Sequence, residues 1–221
     1  MPTLELHYYP GNASLFPHML LRELGCPFEL KLVDRTANAQ NSAAYLKLNP
    51  NGKIPVLVDG GEAIFETAAI GLHLADKFPE KGLAPPPGAP DRAAYYKWMV
   101  YLSSTPQAEY RAWFYPHEFV DDPSLASHVK AAAGVRLVAI FERIAAQLGE
   151  GPWLLGERFS AADLYLLMLV SWGLSFPPPP DHPDWGGGLP RSPVDFPALA
   201  AHAERVSVRA AVRATFAAEG L

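Results

Sequence analysis

Three side chains able to stabilise a negative charge lie close together in the run Tyr9-Pro10-Gly11-Asn12-Ala13-Ser14-Leu15-Phe16-Pro17-His18. They are Tyr9, Asn12 and Ser14. Pro10-Gly11 ends one element, and Ser14 opens the next, so a hydroxyl and the N–H groups of a helix start can converge on one anion. Plainer uses stand beside this one: Ser14 also suits an N-cap, and Tyr9 suits a strand-end core aromatic. Glu66-Thr67 stands at a second helix start. Its carboxylate can take an ammonium, while its hydroxyl and neighbouring N–H groups can take a carboxylate. Acids also favour helix N-termini on electrostatic grounds alone. Lys53 is either a carboxylate contact or a solvated surface cation. The seven histidines are dispersed, and none pairs with another histidine or cysteine at ligand spacing, so no metal is indicated. The single Cys26 has no partner at C-x-x-C spacing and reads as a small buried residue.

The elements that must position these groups follow from periodicity. Thr3 to Tyr9 alternates as a strand, Ser14 to Leu24 carries Phe16, Met19, Leu20 and Leu24 on one helical side, and Phe28 to Val33 is a second strand. Pro17 falls in the first helical turn and Gly25 just past the last. A weak helix is expected near Ala43 to Lys47, then a strand over Ile54 to Val58, a turn at Asp59-Gly60-Gly61 and a return over Ala63 to Phe65. A helix from Thr67 to about Phe78 completes the order β-α-β-α-β-β-α. Residues 81–90 are a proline- and glycine-rich linker between a domain at 1–80 and an all-helical one at 91–221. Helices are expected over Arg92 to Phe114, kinked at Pro106, and over Ser124 to Leu148, Ala161 to Leu174 and Pro197 to Ala218. The stretch between Phe176 and Pro193, with four consecutive prolines, reads as a functional loop or an insert.

Bulk properties narrow the function class. With 221 residues, 49% hydrophobic and 19% charged, the chain has material for a folded core. A net charge of -5 without a basic stripe disfavours nucleic acid. The first residues lack the pattern of a signal peptide, and the apolar run Leu164 to Phe176 is too short to span a bilayer. The expectation is a cytoplasmic protein with no membrane partner.

Four motifs, in order along nearly the whole chain, resemble the cytosolic glutathione S-transferase family. The first is the turn Tyr9 to His18, similar to the family's strand-to-helix turn at the glutathione sulfur, especially in bacterial beta-class members. The second is Asn49-Pro50-Asn51-Gly52-Lys53-Ile54-Pro55, similar to N-P-x-G-x-[VI]-P, whose last proline follows a cis peptide. The third, Glu66-Thr67-Ala68-Ala69-Ile70, resembles E-[ST]-x-x-I. The fourth, Ser160-Ala161-Ala162-Asp163, resembles the capping box of the helical domain, and Phe196-Pro197-Ala198-Leu199 matches a recurrent late segment. Two departures from the beta-class pattern stand out: Ala13 replaces its cysteine, and Gln107-Ala108 stands where a His-Lys pair is usual.

The resemblance implies a thioredoxin-like first domain, an all-helical second domain, a homodimer and glutathione as co-substrate. It implies that Lys53, Ile54, Pro55, Glu66 and Thr67 bind glutathione, with the Ile54 peptide groups pairing to its cysteinyl main chain like an added strand. It implies an electrophile site near Phe16, Gln107, Tyr110 and Trp113. Glutathione's thiol has a pKa of ~8.5, like free cysteine. Stabilising its thiolate at neutral pH needs roughly 2.7 kcal/mol for each drop of about two pH units. One hydrogen bond to a charged group contributes ~1.5–3 kcal/mol. Ser14 is the leading source of that bond, with Tyr9 and Asn12 behind it. The expected reaction is conjugation of the thiolate to small hydrophobic electrophiles. The alternatives are a glutathione-dependent disulfide reductase or peroxidase of the same fold, and a non-catalytic glutathione-binding protein.

Overall fold

A computed structural model describes residues 3–174 and 188–221, so the proline stretch expected as a loop or insert lies largely outside the described residues. The chain forms two compact units, one of residues 1–92 with 207–221 and one of residues 93–206.

The first unit is built on a four-stranded sheet in the order β2-β1-β3-β4. Its strands are β1 (Leu4–Tyr8), β2 (Phe28–Leu32), β3 (Val56–Asp59) and β4 (Glu62–Phe65). β1 and β2 are parallel, joined by helix α1 (Leu15–Leu24), as a crossover connection requires. β3 runs antiparallel to both β1 and β4. Gly60 and Gly61 have φ of 61° and 91°, as a two-residue hairpin turn demands. The short α2 (Ala43–Leu46) is capped by the Ser42 side chain, and α3 (Thr67–Lys77) follows β4 directly. This is the thioredoxin-like βαβαββα arrangement that the order of elements predicts. Ile54 and Pro55, expected inside the third strand, stay outside the ladder, which starts at Val56. Leu6, Leu15, Phe16, Leu20, Val56, Leu57, Ile70 and Leu74 are buried in this unit.

The second unit is helical: α4 (Arg92–Leu102), α5 (Ala108–Phe114), α6 (Ala126–Leu148), α7 (Ala161–Trp172) and α8 (Pro197–Ser207), with Arg92 and Ser207 at its two ends counted in the first unit. Pro106 breaks the regular ladder between α4 and α5 as a five-residue π-helical turn, Ser103–Gln107, a recognised response to a missing N–H. The stretch Pro123–Leu148 is long and apolar enough to cross a membrane by length and composition alone. Its stripe of Ala133, Leu137, Ile140, Phe141 and Ile144 is buried, which marks a packing helix of this unit. Trp98 is core, its indole N–H donating to the Leu154 carbonyl at 2.9 Å.

The last helical pattern, expected unbroken over 197–218, is instead two helices. Arg209 adopts extended backbone (φ -64°, ψ 137°) and starts α9 (Ala210–Glu219). α9 joins the first unit, where it packs along α1.

Candidate functional site

Strand register gathers the candidate residues. His7 faces Val56 and Val56 faces Phe65 across three adjacent strands. Tyr9 lies just beyond the end of β1, Pro55 just before β3, and Glu66 just after β4. Antiparallel pairing therefore puts the turn Tyr9–Ser14, the peptide groups of Ile54–Pro55 and the start of α3 at one end of the sheet.

The turn at the start of α1 is held by its own side chains. Asn12 N–H donates to the Tyr9 carbonyl at 3.1 Å, and the Asn12 side-chain oxygen accepts the Ala13 N–H at 2.7 Å. Its amide nitrogen has no protein partner among the described residues, and the side chain is half-buried. Ser14 requires a correction. Its hydroxyl is fully buried, donates to the Tyr9 carbonyl at 3.0 Å and accepts the Tyr9 N–H at 3.2 Å. A serine clasped on both sides to the preceding strand end has no hydroxyl proton to offer a ligand, and it makes no side-chain cap to α1 either. The Tyr9 ring lies under the Arg35 guanidinium at 5.4 Å, and is half-buried.

The second motif is assembled by a buried asparagine. Asn49 Nδ2 and the Tyr45 hydroxyl both donate to the Lys53 carbonyl at 2.8 Å, while Asn49 Oδ1 accepts the Asn51 N–H. Burial pushes the Tyr45 hydroxyl pKa well above the ordinary tyrosine value, so it remains a donor. Gly52 is obligatory: φ is +59°, and a Cβ would sit 2.6 Å from Asn41 Oδ1 and 3.3 Å from the Gln40 carbonyl. Lys53 is exposed. The Ile54–Pro55 peptide is cis, and no described backbone group bonds to the Ile54 N–H or C=O.

The third motif contains the clearest backbone outlier. Glu66 has φ 74° and ψ 114°, one of two non-glycine residues with positive φ among the described residues. Such a conformation costs ~1–3 kcal/mol and persists only where surroundings enforce it. The Glu66 side chain is exposed, makes no side-chain cap to α3, and has no protein partner among the described residues. Thr67, beside it, is buried.

The residues expected around an electrophile are placed differently. Phe16, Tyr110 and Trp113 are packed in cores, none more than 7% exposed. The Tyr110 hydroxyl donates to the Leu169 carbonyl at 2.9 Å, with Phe114 stacked on its ring. Trp113 packs on Gly134, where a Cβ would sit 2.6 Å from the indole, and the Lys130 ammonium lies 4.9 Å from its ring centroid. These three are corrections: the helical aromatic pattern marks core, as such patterns commonly do. Gln107 is half-buried at the end of the π turn, and its side-chain oxygen accepts the Tyr165 hydroxyl. Cys26 is also less buried than expected, though partial burial still raises its thiol pKa.

Sequence reasoning missed a polar group beside the turn. Glu219 on α9 accepts the Gly11 N–H at 2.9 Å and pairs with His18 at 2.7 Å. The available signal was Glu219 following Val212 and Thr215 on the buried face of α9.

Comparison with known proteins decides the family. Residues 2–76 match the glutathione S-transferase N-terminal domain, and residues 127–205 match the glutathione S-transferase C-terminal domain. A glutathione S-transferase of Xanthomonas campestris is 31% identical over 169 residues, 76% of this chain and 82% of that one. The chain belongs to the glutathione S-transferase family. A glutathione transferase homologue from Sulfitobacter, solved with bound glutathione, superposes with a TM-score of 0.85 at 25% identity, covering 100% of both chains. The beta-class glutathione S-transferase of Sphingomonas chungbukensis superposes with a TM-score of 0.80 at 30% identity, covering 98% of this chain and 99% of that one. The two-domain fold and the enzyme class expected from the motifs are thus those of the glutathione S-transferase family.

Proposed function

We propose that this transferase binds glutathione at the sheet end described above and directs its thiolate at small hydrophobic electrophiles, working as a cytoplasmic homodimer. The domains read from the sequence, 1–80 and 91–221 joined by a linker at 81–90, would serve glutathione and electrophile respectively, save that residues 207–221 pack with the first. The observation that carries the reading is Glu66. A positive-φ backbone beside an exposed carboxylate with no partner among the described residues is the pattern expected of a group kept for a ligand ammonium. Glu66 would take the γ-glutamyl ammonium, and Thr67 with the N–H groups of α3 the γ-glutamyl carboxylate. The open Ile54 N–H and C=O would pair with the cysteinyl main chain, and Lys53 with a carboxylate of the tripeptide.

At the sulfur, Asn12 replaces Ser14 as the preferred donor. Its side-chain oxygen is engaged inward by Ala13 N–H, which leaves the amide nitrogen to face a ligand. One such charge-assisted bond supplies ~1.5–3 kcal/mol, and the start of α1 adds about 0.3–1 kcal/mol. The thiol proton is lost to solvent, the thiolate attacks the electrophilic carbon, a sulfur–carbon bond forms, and the leaving group departs with its bonding electrons. Ala13 can form no mixed disulfide, so the sulfur chemistry is glutathione's own.

The test is the pKa of bound glutathione, read from thiolate ultraviolet absorbance, in wild type, Ser14→Ala and Asn12→Ala. A depressed value that returns toward ~8.5 in Asn12→Ala alone supports the assignment. An unchanged value in Asn12→Ala sinks it. Turnover of hydroxyethyl disulfide without turnover of a chloronitrobenzene would replace conjugation by disulfide reduction.

A further inference from the structure

The turn that opens α1 is tied down from outside itself. Gly11 has φ +68°, a conformation only glycine adopts freely, and glycine is also the residue most able to leave it. Its N–H is held by Glu219 Oε2 at 2.9 Å. The other carboxylate oxygen, Oε1, pairs with His18 Nδ1 at 2.7 Å, and both side chains of that pair are fully buried. Arg22 Nε donates to His18 Nε2 at 3.0 Å. Because a guanidinium can only donate, Nε2 must be the acceptor and the ring proton sits on Nδ1, facing Glu219. The imidazole is further fixed edge-on between Tyr8 and Phe28, at centroid distances of 6.0 and 5.7 Å. Both oxygens of Glu219 are therefore engaged by donors of opposite origin, one from the turn and one from the body of α1. Leu221 lies close by as well, since a Cβ on Gly11 would sit 3.7 Å from its side chain.

We propose that Glu219 is a positioning residue for catalysis: by holding Gly11 N–H against an α1-anchored carboxylate, α9 fixes the turn that presents Asn12 to the sulfur. This rests on the reading given under Proposed function. The same two helices offer an internal control. At the far end of α9, Arg209 pairs with Glu23 of α1, a link that fastens the helices without touching the turn.

The consequence of losing the carboxylate follows from donor counting. In Glu219→Gln one side-chain atom becomes an N–H donor. It then opposes either Gly11 N–H or His18 Nδ1–H, and moving the His18 proton to Nε2 only shifts the conflict to Arg22 Nε–H, so one donor of this chain loses the acceptor it has in the wild type. The turn should loosen while most packing volume is retained.

The experiment compares wild type, Glu219→Gln and Glu23→Gln by bound-thiol pKa, kcat/KM against pH, and thermal unfolding. In Glu219→Gln the bound-thiol pKa should rise by about one pH unit, with kcat/KM falling about tenfold below that pKa and recovering above it. Glu23→Gln should unfold at a lower temperature yet keep the wild-type thiol pKa. A Glu219→Gln protein with the wild-type pKa and a loss uniform across pH has only a structural defect, and overturns the proposal. A wild-type protein that leaves bound glutathione at its free pKa overturns the underlying reading as well, which separates the two failures. If Glu219→Gln does not fold, hydrogen exchange on the wild type decides. The Gly11 amide should be protected as strongly as the amides inside α9, and fast exchange overturns the proposal.

Discussion

Two serines open two helices in this molecule, and they do opposite work. Ser160 begins α7 with a closed capping box: Asp163 Oδ2 accepts the Ser160 N–H at 2.8 Å and its hydroxyl at 3.1 Å. Asp163 Oδ1 accepts the Leu154 N–H at 2.9 Å and pairs with His202 at 3.0 Å. Every oxygen position is used and the site is fully buried. Ser14 begins α1 and is buried as completely, but its hydroxyl turns back to Tyr9 rather than forward to the helix. The start of α7 is sealed by side chains. That of α1 is braced from behind, and the Asn12 amide nitrogen beside it has no protein partner among the described residues. A sealed helix start contributes stability alone. A braced and open one can hold a ligand, because the donors are oriented before the ligand arrives.

Breaking the sealed end should have the largest effect on stability. Asp163→Ala orphans two N–H groups and a hydroxyl in a dry interior, at a cost of about 3–5 kcal/mol. For a chain of this size that lowers the unfolding midpoint by at least ~6 °C. Differential scanning calorimetry checks it, and a change under ~2 °C would remove the contrast. In the protein that still folds, the pKa of bound glutathione should match wild type.

Ser14→Ala comes next. It removes one hydroxyl that satisfies both Tyr9 peptide groups, and should cost about 1–3 kcal/mol in urea unfolding. If the hydroxyl is not itself a sulfur ligand, the glutathione affinity at pH above the thiol pKa should stay within roughly threefold of wild type, under ~0.7 kcal/mol. A stable Ser14→Ala protein that cannot hold the thiolate would restore the hydroxyl as the sulfur ligand.

The smallest effect, and the only gain, is expected at the other open helix start. Glu66→Gly relieves the positive-φ backbone of α3 and should stabilise the free protein by about 1 kcal/mol. Isothermal titration should show glutathione affinity reduced about tenfold, a loss of ~1.4 kcal/mol. Stability gained together with affinity lost would show that Glu66 is strained for the ligand. Gain without loss would leave the conformation unexplained.

Much of this was legible without coordinates because it is local. The hairpin at Gly60-Gly61, the capping box at Ser160 and the helix-start acid Glu66 are each set by residues within a few positions of one another, and the cis Ile54–Pro55 peptide is the one the family resemblance implied. The interruption at Pro106 was visible too, since no ring nitrogen can donate to a helical ladder, although its form as a π turn was not. The aromatic helix misled: Tyr110 and Trp113 have the size and polarity of ligand contacts, and only their neighbours Leu169 and Gly134 show that they are core.

The sequence by itself determined the order of elements and the local turns, because periodicity, glycine and proline act over a few residues, and the family was legible from the resemblance of four ordered motifs. Tertiary structure alone decided three further points: that the Ser14 hydroxyl turns back to Tyr9, that the Asn12 side-chain oxygen takes the Ala13 N–H, and that Glu219 closes on Gly11. Glu219 lies 208 residues from Gly11 along the chain, and no local pattern can report which buried donors a distant carboxylate will meet. Where a side chain points depends on which donors and acceptors packing brings within about 3 Å of it, and that is a property of the folded whole.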